Sequence, residues 1–237
     1  MWRIRTSGSA TSSRTSSSWA PASASASRSE ALIPVLLKIC GVTRSEDARL
    51  CADLNVDFIG INIWPRSPRS VMPERAAELS GELRQIGFAG KLVLVTVSPA
   101  PETLPPILER IAPDYIQIHG EWSHEIAVGS VPVLRAFPLG TVQDRIPISE
   151  WRADRILIDA RVEGMMGGTG KTVPEELLAD IPRRFLLAGG LNPGNVADII
   201  RRVHPWGVDV ASGVEESPGK KDHGAVNIFV REARAAS

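Results

Sequence analysis

From Leu36 onward the chain alternates between two kinds of segment, and this alternation restricts the fold more than any other feature. Short apolar runs recur as VLLKIC, VDFIGINI, KLVLVTV, DYIQIH, VPVLRAF, DRILIDA, RFLLAGG and WGVDVASG. Each is strand-length and rich in Val, Ile or Leu, as a strand buried on both faces must be. Amphipathic stretches with helix signals lie between them. Thr43 with Glu46, and Thr172 with Glu175, have capping-box spacing. Pro73 opens PERAAELSGELRQI, where proline costs no hydrogen bond. Asn192-Pro193 opens GNVADIIRRV, and Asp222 is placed to cap GAVNIFVREAR. Strand–helix alternation implies a parallel sheet. Repeats of ~25 residues, eight times over, imply an α/β protein with a closed (β/α)8 (TIM) barrel. An open doubly wound sheet is the competitor, but no G-x-G-x-x-G follows the first run.

Composition bounds the class. The 237 residues carry 27 basic and 27 acidic side chains, and 43% are hydrophobic. A balanced chain of this kind has no electrostatic footprint for nucleic acid or an anionic membrane surface. No run approaches the ~20 apolar residues that cross a bilayer. Cys40 and Cys51 are too few for a disulfide framework and are not spaced as a zinc site. The first 29 residues differ in kind: 11 Ser, four Arg and no acid. Residues 1–30 are therefore set apart from the barrel, 34–237, as a disordered Ser/Arg-rich leader. The alternative readings are an organellar transit segment and a start codon taken too far upstream. The expected location is cytoplasmic, or organellar where the leader directs import.

In a barrel of this type the site forms where strands end and the following loops begin. Those ends carry Cys40-Gly41, Arg66 and Arg69, Gln117 and His119-Gly120, Arg135, Asp159, Gly189-Gly190, and Asp209 with Ser212 and Gly213. The loops after strands seven and eight are where barrels commonly hold a phosphate on backbone N–H groups. AGGLNP and SGVEESPG supply the small residues this needs, so a phosphorylated small molecule is the expected ligand. Cys40 ends its strand at the mouth. Lys38, two residues earlier, shares its face and would favour the thiolate. Cys51, within DARLCADLN, reads as helix packing. A carboxylate at the end of RILID is too costly in an apolar strand unless partnered or used, which singles out Asp159.

GMMGGTGKT, residues 164–172, invites comparison with a nucleotide phosphate loop. G-x-x-x-x-G-K-[ST] would put its first glycine at position 165, which is Met165. The glycines instead mark tight turns in a loop that follows strand six.

Together these residues resemble the phosphoribosylanthranilate isomerase family of tryptophan biosynthesis. The matching stretches are KICGVTRSEDA, DFIGINIWPRSPRSV, IQIHGEWS, LIDARVEGMMGGTGKT, LLAGGLNPGNV and VDVASGVEESPGKKDH, in the family's order from about Lys38 to the end. The resemblance implies a (β/α)8 barrel that needs neither metal nor organic cofactor. It implies an Amadori rearrangement of N-(5-phosphoribosyl)anthranilate to the 1-deoxyribulose 5-phosphate. Carried over, Cys40 is the general base, Asp159 the general acid, and Arg69 faces the anthranilate. His119 and Asp209 are further substrate-binding residues. Gly168, Gly189, Gly190, Ser212 and Gly213 bind phosphate, and the loop after strand six folds over the substrate. The resemblance leaves the assembly as monomer or homodimer. The chain departs from the family pattern at LVLVTVSP in strand three, at Trp64 where Phe is usual, and at DVASG in strand eight. None of these removes a proposed catalytic group. Indole-glycerol-phosphate synthase would need a Lys and Glu set where this chain has Cys40 and Asp159. A non-catalytic sugar-phosphate sensor would have no use for either group.

Overall fold

The structure, a computed structural model, describes residues 34–122, 128–151, 155–160, 172–179, 181 and 184–237. The leader and the loop glycine Gly168 lie outside these residues.

The eight apolar runs form the eight strands of one closed parallel barrel. They are β1 (Leu36–Cys40), β2 (Phe58–Asn62), β3 (Lys91–Val97), β4 (Tyr115–His119), β5 (Val133–Leu139), β6 (Arg155–Ala160), β7 (Arg184–Ala188) and β8 (Gly207–Val210). Each pairs with the next, and β8 closes on β1 through Lys38↔Asp209 and Ile39↔Val210. The period of two sorts each strand between two environments. Leu37 and Ile39 face outward into the main core beneath the helices. Leu36 and Cys40 pack inside the barrel, beside Phe58, Val93 and Val95. The shared face expected for Lys38 and Cys40 is thus the interior face.

Helices α1 (Ser45–Asp53), α2 (Pro73–Gln85), α3 (Leu104–Ile111), α4 (Arg145–Glu150), α5 (Glu175–Leu178), α6 (Val196–Val203) and α7 (His223–Ala235) form the sheath. Pro73 occupies the first turn of α2 as expected. The Asp222 side chain accepts the Ala225 N–H at the start of α7. Neither capping box forms. The first cap falls on Arg44, while the Thr43 hydroxyl donates to the Gly219 carbonyl, 2.6 Å away. The cap of α5 falls on Pro174, two residues beyond Thr172. At Thr43 a tertiary acceptor outcompetes the local one, which spacing alone cannot reveal.

The floor of the barrel is closed by aromatic rings. Phe58 meets Tyr115 edge-on at 5.9 Å and Trp206 at 6.0 Å, and the Arg155 guanidinium lies 5.0 Å from the Trp206 ring centre. Among the described residues these rings fill the interior at the N-terminal ends of the strands, and the cavity lies at the C-terminal ends. A short hairpin, β9 (Glu215–Ser217) and β10 (Lys220–Lys221), follows β8 and leads into α7.

Candidate active site

A cavity of about 720 Å³ opens at those C-terminal ends. Cys40, Arg69, His119, Asp159, Gly189, Gly190, Asp209 and Ser212 all line it. Gly213, next to Ser212, is absent from the lining.

At the centre, the Lys38 ammonium is fully buried and donates to both Asp209 oxygens at 3.0 Å. Two opposite charges in such a place stabilise one another only because each is fully partnered. Asp209 is thus spent first on Lys38. The pair sits beside both candidate catalytic groups. A side chain on Gly60, in β2, would meet Cys40 Sγ at 2.8 Å and Lys38 Nζ at 3.0 Å. Only glycine there lets thiol and ammonium share the space.

Burial is the largest influence on the Cys40 thiol and pushes its pKa above the ordinary value. Lys38 opposes this and Asp209 reinforces it. The expectation that Lys38 favours the thiolate holds in sign but not in outcome, because burial outweighs the ammonium and the Asp209 charge adds to burial. Asp159 is raised from 3.8 to about 6, first by burial and then by the Asp209 charge. It is a carboxylic acid that holds its proton to a higher pH than an exposed one, up to about 6. His119 is lowered to about 4 by burial, with Lys38 and Arg135 adding to the effect. Its ring is neutral, 2.7 Å from Gln117 Nε2. Cys51 is buried in α1, and burial pushes its thiol up to about 12.

Arg69 reaches the cavity from the loop after β2. Gly41, at φ +72°, clears its path, since a Cβ there would lie 2.7 Å from Arg69 Cδ. The Arg69 Nε donates to both Glu215 oxygens at 2.9 and 3.0 Å, and Nη2 donates to Oε2 at 2.8 Å. Arg135 Nη1 donates to the Ile118 and Ala136 carbonyls. It ties β4 to β5 at the rim.

Opposite lie the two glycine loops. Gly189 and Gly190 have φ of +88° and +67°, open to glycine at little cost. A Cβ on Gly189 would meet the Ala160 N at 2.6 Å and the Asp159 Oδ1 at 2.9 Å. A Cβ on Gly213 would lie 1.9 Å from the Leu191 carbonyl oxygen, so Gly213 is first a packing glycine that lets the two loops touch. The N–H groups of Gly190, Ser212 and Gly213 donate to no described residue. Free N–H groups on adjoining loops are of the kind that can receive an anion.

The family profile of N-(5'phosphoribosyl)anthranilate (PRA) isomerase matches residues 37–232. The chain belongs to this family. It is accordingly an isomerase of tryptophan biosynthesis. It is 36% identical over 205 residues to the N-(5'-phosphoribosyl)anthranilate isomerase of Magnetococcus marinus, covering 85% of this chain and 96% of that one. Among solved structures it is similar to the phosphoribosyl anthranilate isomerase of Thermotoga maritima, with a TM-score of 0.77 and 34% identity, covering 85% of this chain and 99% of that chain. A further similar structure, at TM-score 0.74 and 32% identity, covers 85% of this chain and 99% of its own. It is such an isomerase in complex with reduced 1-(o-carboxyphenylamino)-1-deoxyribulose 5-phosphate.

Of two residues central to this geometry, Glu215 was read in the sequence only as part of a glycine-rich loop and the matching stretch VDVASGVEESPGKKDH, and Lys221 only as part of that stretch. The Lys38–Asp209 pair was half visible. The desolvation argument that singled out Asp159 applies equally to a lysine and an aspartate inside apolar strands, and it would have paired them.

Proposed function

We propose that the cavity carries out the Amadori rearrangement of N-(5'-phosphoribosyl)anthranilate to 1-(2-carboxyphenylamino)-1-deoxyribulose 5-phosphate, with Asp159 as general acid and Cys40 as general base. The observation that carries this reading is the placement of a proton-holding carboxyl and a thiol at the ends of β6 and β1, lining one cavity. The raised pKa of Asp159 supports the acid role. The reaction needs these two functions. Asp159 gives its proton to the ring oxygen as the C1–O bond breaks, and the anilino nitrogen pushes its electron pair to C1. Cys40 then removes the proton from C2, and those electrons neutralise the C1–N cation as the enolamine forms. Protonation at C1 and loss of the hydroxyl proton at C2 give the ketose.

A raised thiol pKa is compatible with this sequence. The cation formed at C1 is a new positive charge beside the sulfur, and it draws the thiol toward ionisation when a base is needed. The resulting thiolate is a stronger base than one with a low pKa. Burial makes the carboxyl of Asp159 a better proton holder but a weaker acid, and the balance near neutrality suits proton transfer.

The substrate carries two anionic groups. In our reading its phosphate lies on the N–H groups of Gly190, Ser212 and Gly213, its carboxylate meets Arg69, and its sugar hydroxyls lie toward His119 and Gln117. Gln117 Oε1 is buried without a partner among the described residues, which suits an acceptor for a hydroxyl. Asp209 acts through Lys38 and through its charge on Asp159. Gly168 and the loop that would cover the substrate lie outside the described residues. Mixing the protein with freshly made phosphoribosylanthranilate and following its fluorescence tests the reading. Enzyme-dependent loss of signal is expected, and a signal that decays only at the uncatalysed rate would refute it.

A further inference from the structure

Behind the cavity wall lies a buried charge cluster that the proton transfers do not use. Lys221, on β10, is fully buried. Its ammonium donates to the Cys40 carbonyl at 2.6 Å, the Ala211 carbonyl at 3.2 Å and Glu215 Oε1 at 2.9 Å. All three of its protons are thus engaged. Its backbone N–H donates to Oδ2 of the buried Asp47 of α1, at 3.2 Å, which fixes where the lysine starts. Glu215, with 4% of its side chain exposed, is shared between Lys221 and Arg69.

We propose that Lys221 and Glu215 are positioning residues that hold one edge of the Arg69 guanidinium so that its other edge meets the substrate's carboxylate. This rests on the reading that Arg69 faces the aromatic acid. A guanidinium has two edges able to grip a carboxylate with paired hydrogen bonds. Glu215 takes the Nε/Nη2 edge with three contacts of 3.0 Å or less. Nη1 donates to no described residue, and Arg69 lines the cavity, so the Nη1/Nη2 edge is the one left for a ligand.

The charges account for the third member. Arg69 and Glu215 alone would sum to zero and attract a carboxylate weakly. Lys221 offsets the Glu215 carboxylate, leaving the Arg69 charge for the ligand, without itself reaching it. The relay also makes the site rigid before binding. A free arginine loses rotamer freedom when it grips a ligand, and here the fold has already removed that freedom. Because Lys221 holds the carbonyls of Cys40 and Ala211, it also links the carboxylate-binding edge to the base and to the loop carrying Ser212.

The test is a double-variant cycle on the full chain, with Arg69→Ala, Glu215→Gln and the two combined. KM and kcat would be read with phosphoribosylanthranilate, and inhibition by inorganic phosphate would serve as the control. Glu215→Gln is expected to raise KM about tenfold while leaving kcat within about threefold and phosphate inhibition unchanged. The combined variant should be little worse than Arg69→Ala alone, since both remove one interaction. If Arg69→Ala leaves KM unchanged, the placement of the aromatic acid fails, and the relay with it. If Arg69→Ala raises KM but Glu215→Gln does not, or the two effects add in full, the relay is overturned and the placement stands. Lys221→Met repeats the test with both Arg69 and Glu215 retained. It too should raise KM, and an unchanged KM in folded protein would count against the relay.

Discussion

Replacing Asp159 with Asn is expected to stabilise the folded protein above about pH 6 while removing activity. In the native state the carboxyl is raised from 3.8 to about 6, burial being the main cause. An unfolded chain would ionise it near the lower value. Below about pH 4 both states hold the proton and the group costs nothing. As pH rises from about 4 to about 6 the unfolded state gives up its proton first, so stability falls, and above that range the loss is constant. A shift of about two units at 1.36 kcal/mol each corresponds to about 3 kcal/mol. Asp159 keeps some contact with solvent at the cavity mouth, which reduces the expected gain to about 1–3 kcal/mol. Urea denaturation of both proteins at about pH 4 and about pH 8, without substrate, measures the difference. The Asn variant should gain stability over wild type at the higher pH by that amount more than at the lower. An equal difference at both pH values, or a wild type that is the more stable at pH 8, would show that the fold does not strain this carboxylate.

Arg69→Ala should raise KM for phosphoribosylanthranilate by about tenfold or more, and inorganic phosphate should compete with substrate at millimolar concentration, about −4 kcal/mol; kinetics indifferent to both would move the substrate elsewhere. Cys51→Ser should keep wild-type kcat and lose about 1–2 kcal/mol of stability, because Cys51 is buried in α1 and a hydroxyl there lacks the fit of a thiol; a tenfold drop in kcat would bring it into the mechanism. A chain beginning at Pro34 should keep its melting temperature and its kcat, since the first described strand begins at Leu36; melting many degrees lower would show that the leader packs on the barrel.

The barrel was legible because parallel strands buried on both faces cannot hide their composition. β3 runs over Lys91–Val97, as the apolar run read. β5 runs two residues later than its run, over Val133–Leu139, because pairing with β6 extends it through Pro138↔Asp159, a register that no local pattern encodes. The strand ends then delivered Cys40, Asp159, Arg69 and the glycine loops, since the fold class alone says which end of each strand carries chemistry. The helix starts at Arg44 and Pro174 were missed because capping spacing is a local signal, and at Thr43 a carbonyl 176 residues away in sequence competes for the same hydroxyl. Glu215 and Lys221 were missed for the same reason at larger scale. Glu215 meets Arg69 across 146 positions, and Lys221 meets Cys40 across 181. Nothing near either residue in sequence distinguishes it from a solvated surface charge.

The central claim is that Cys40 and Asp159 move the protons. Steady-state kinetics of Cys40→Ser and Asp159→Asn with freshly made phosphoribosylanthranilate test it most directly, and each variant should lose at least about a hundredfold in kcat with little change in KM. Retention of more than about a tenth of wild-type kcat by Cys40→Ser would mean that another group takes the C2 proton, and the same result for Asp159→Asn would remove the acid.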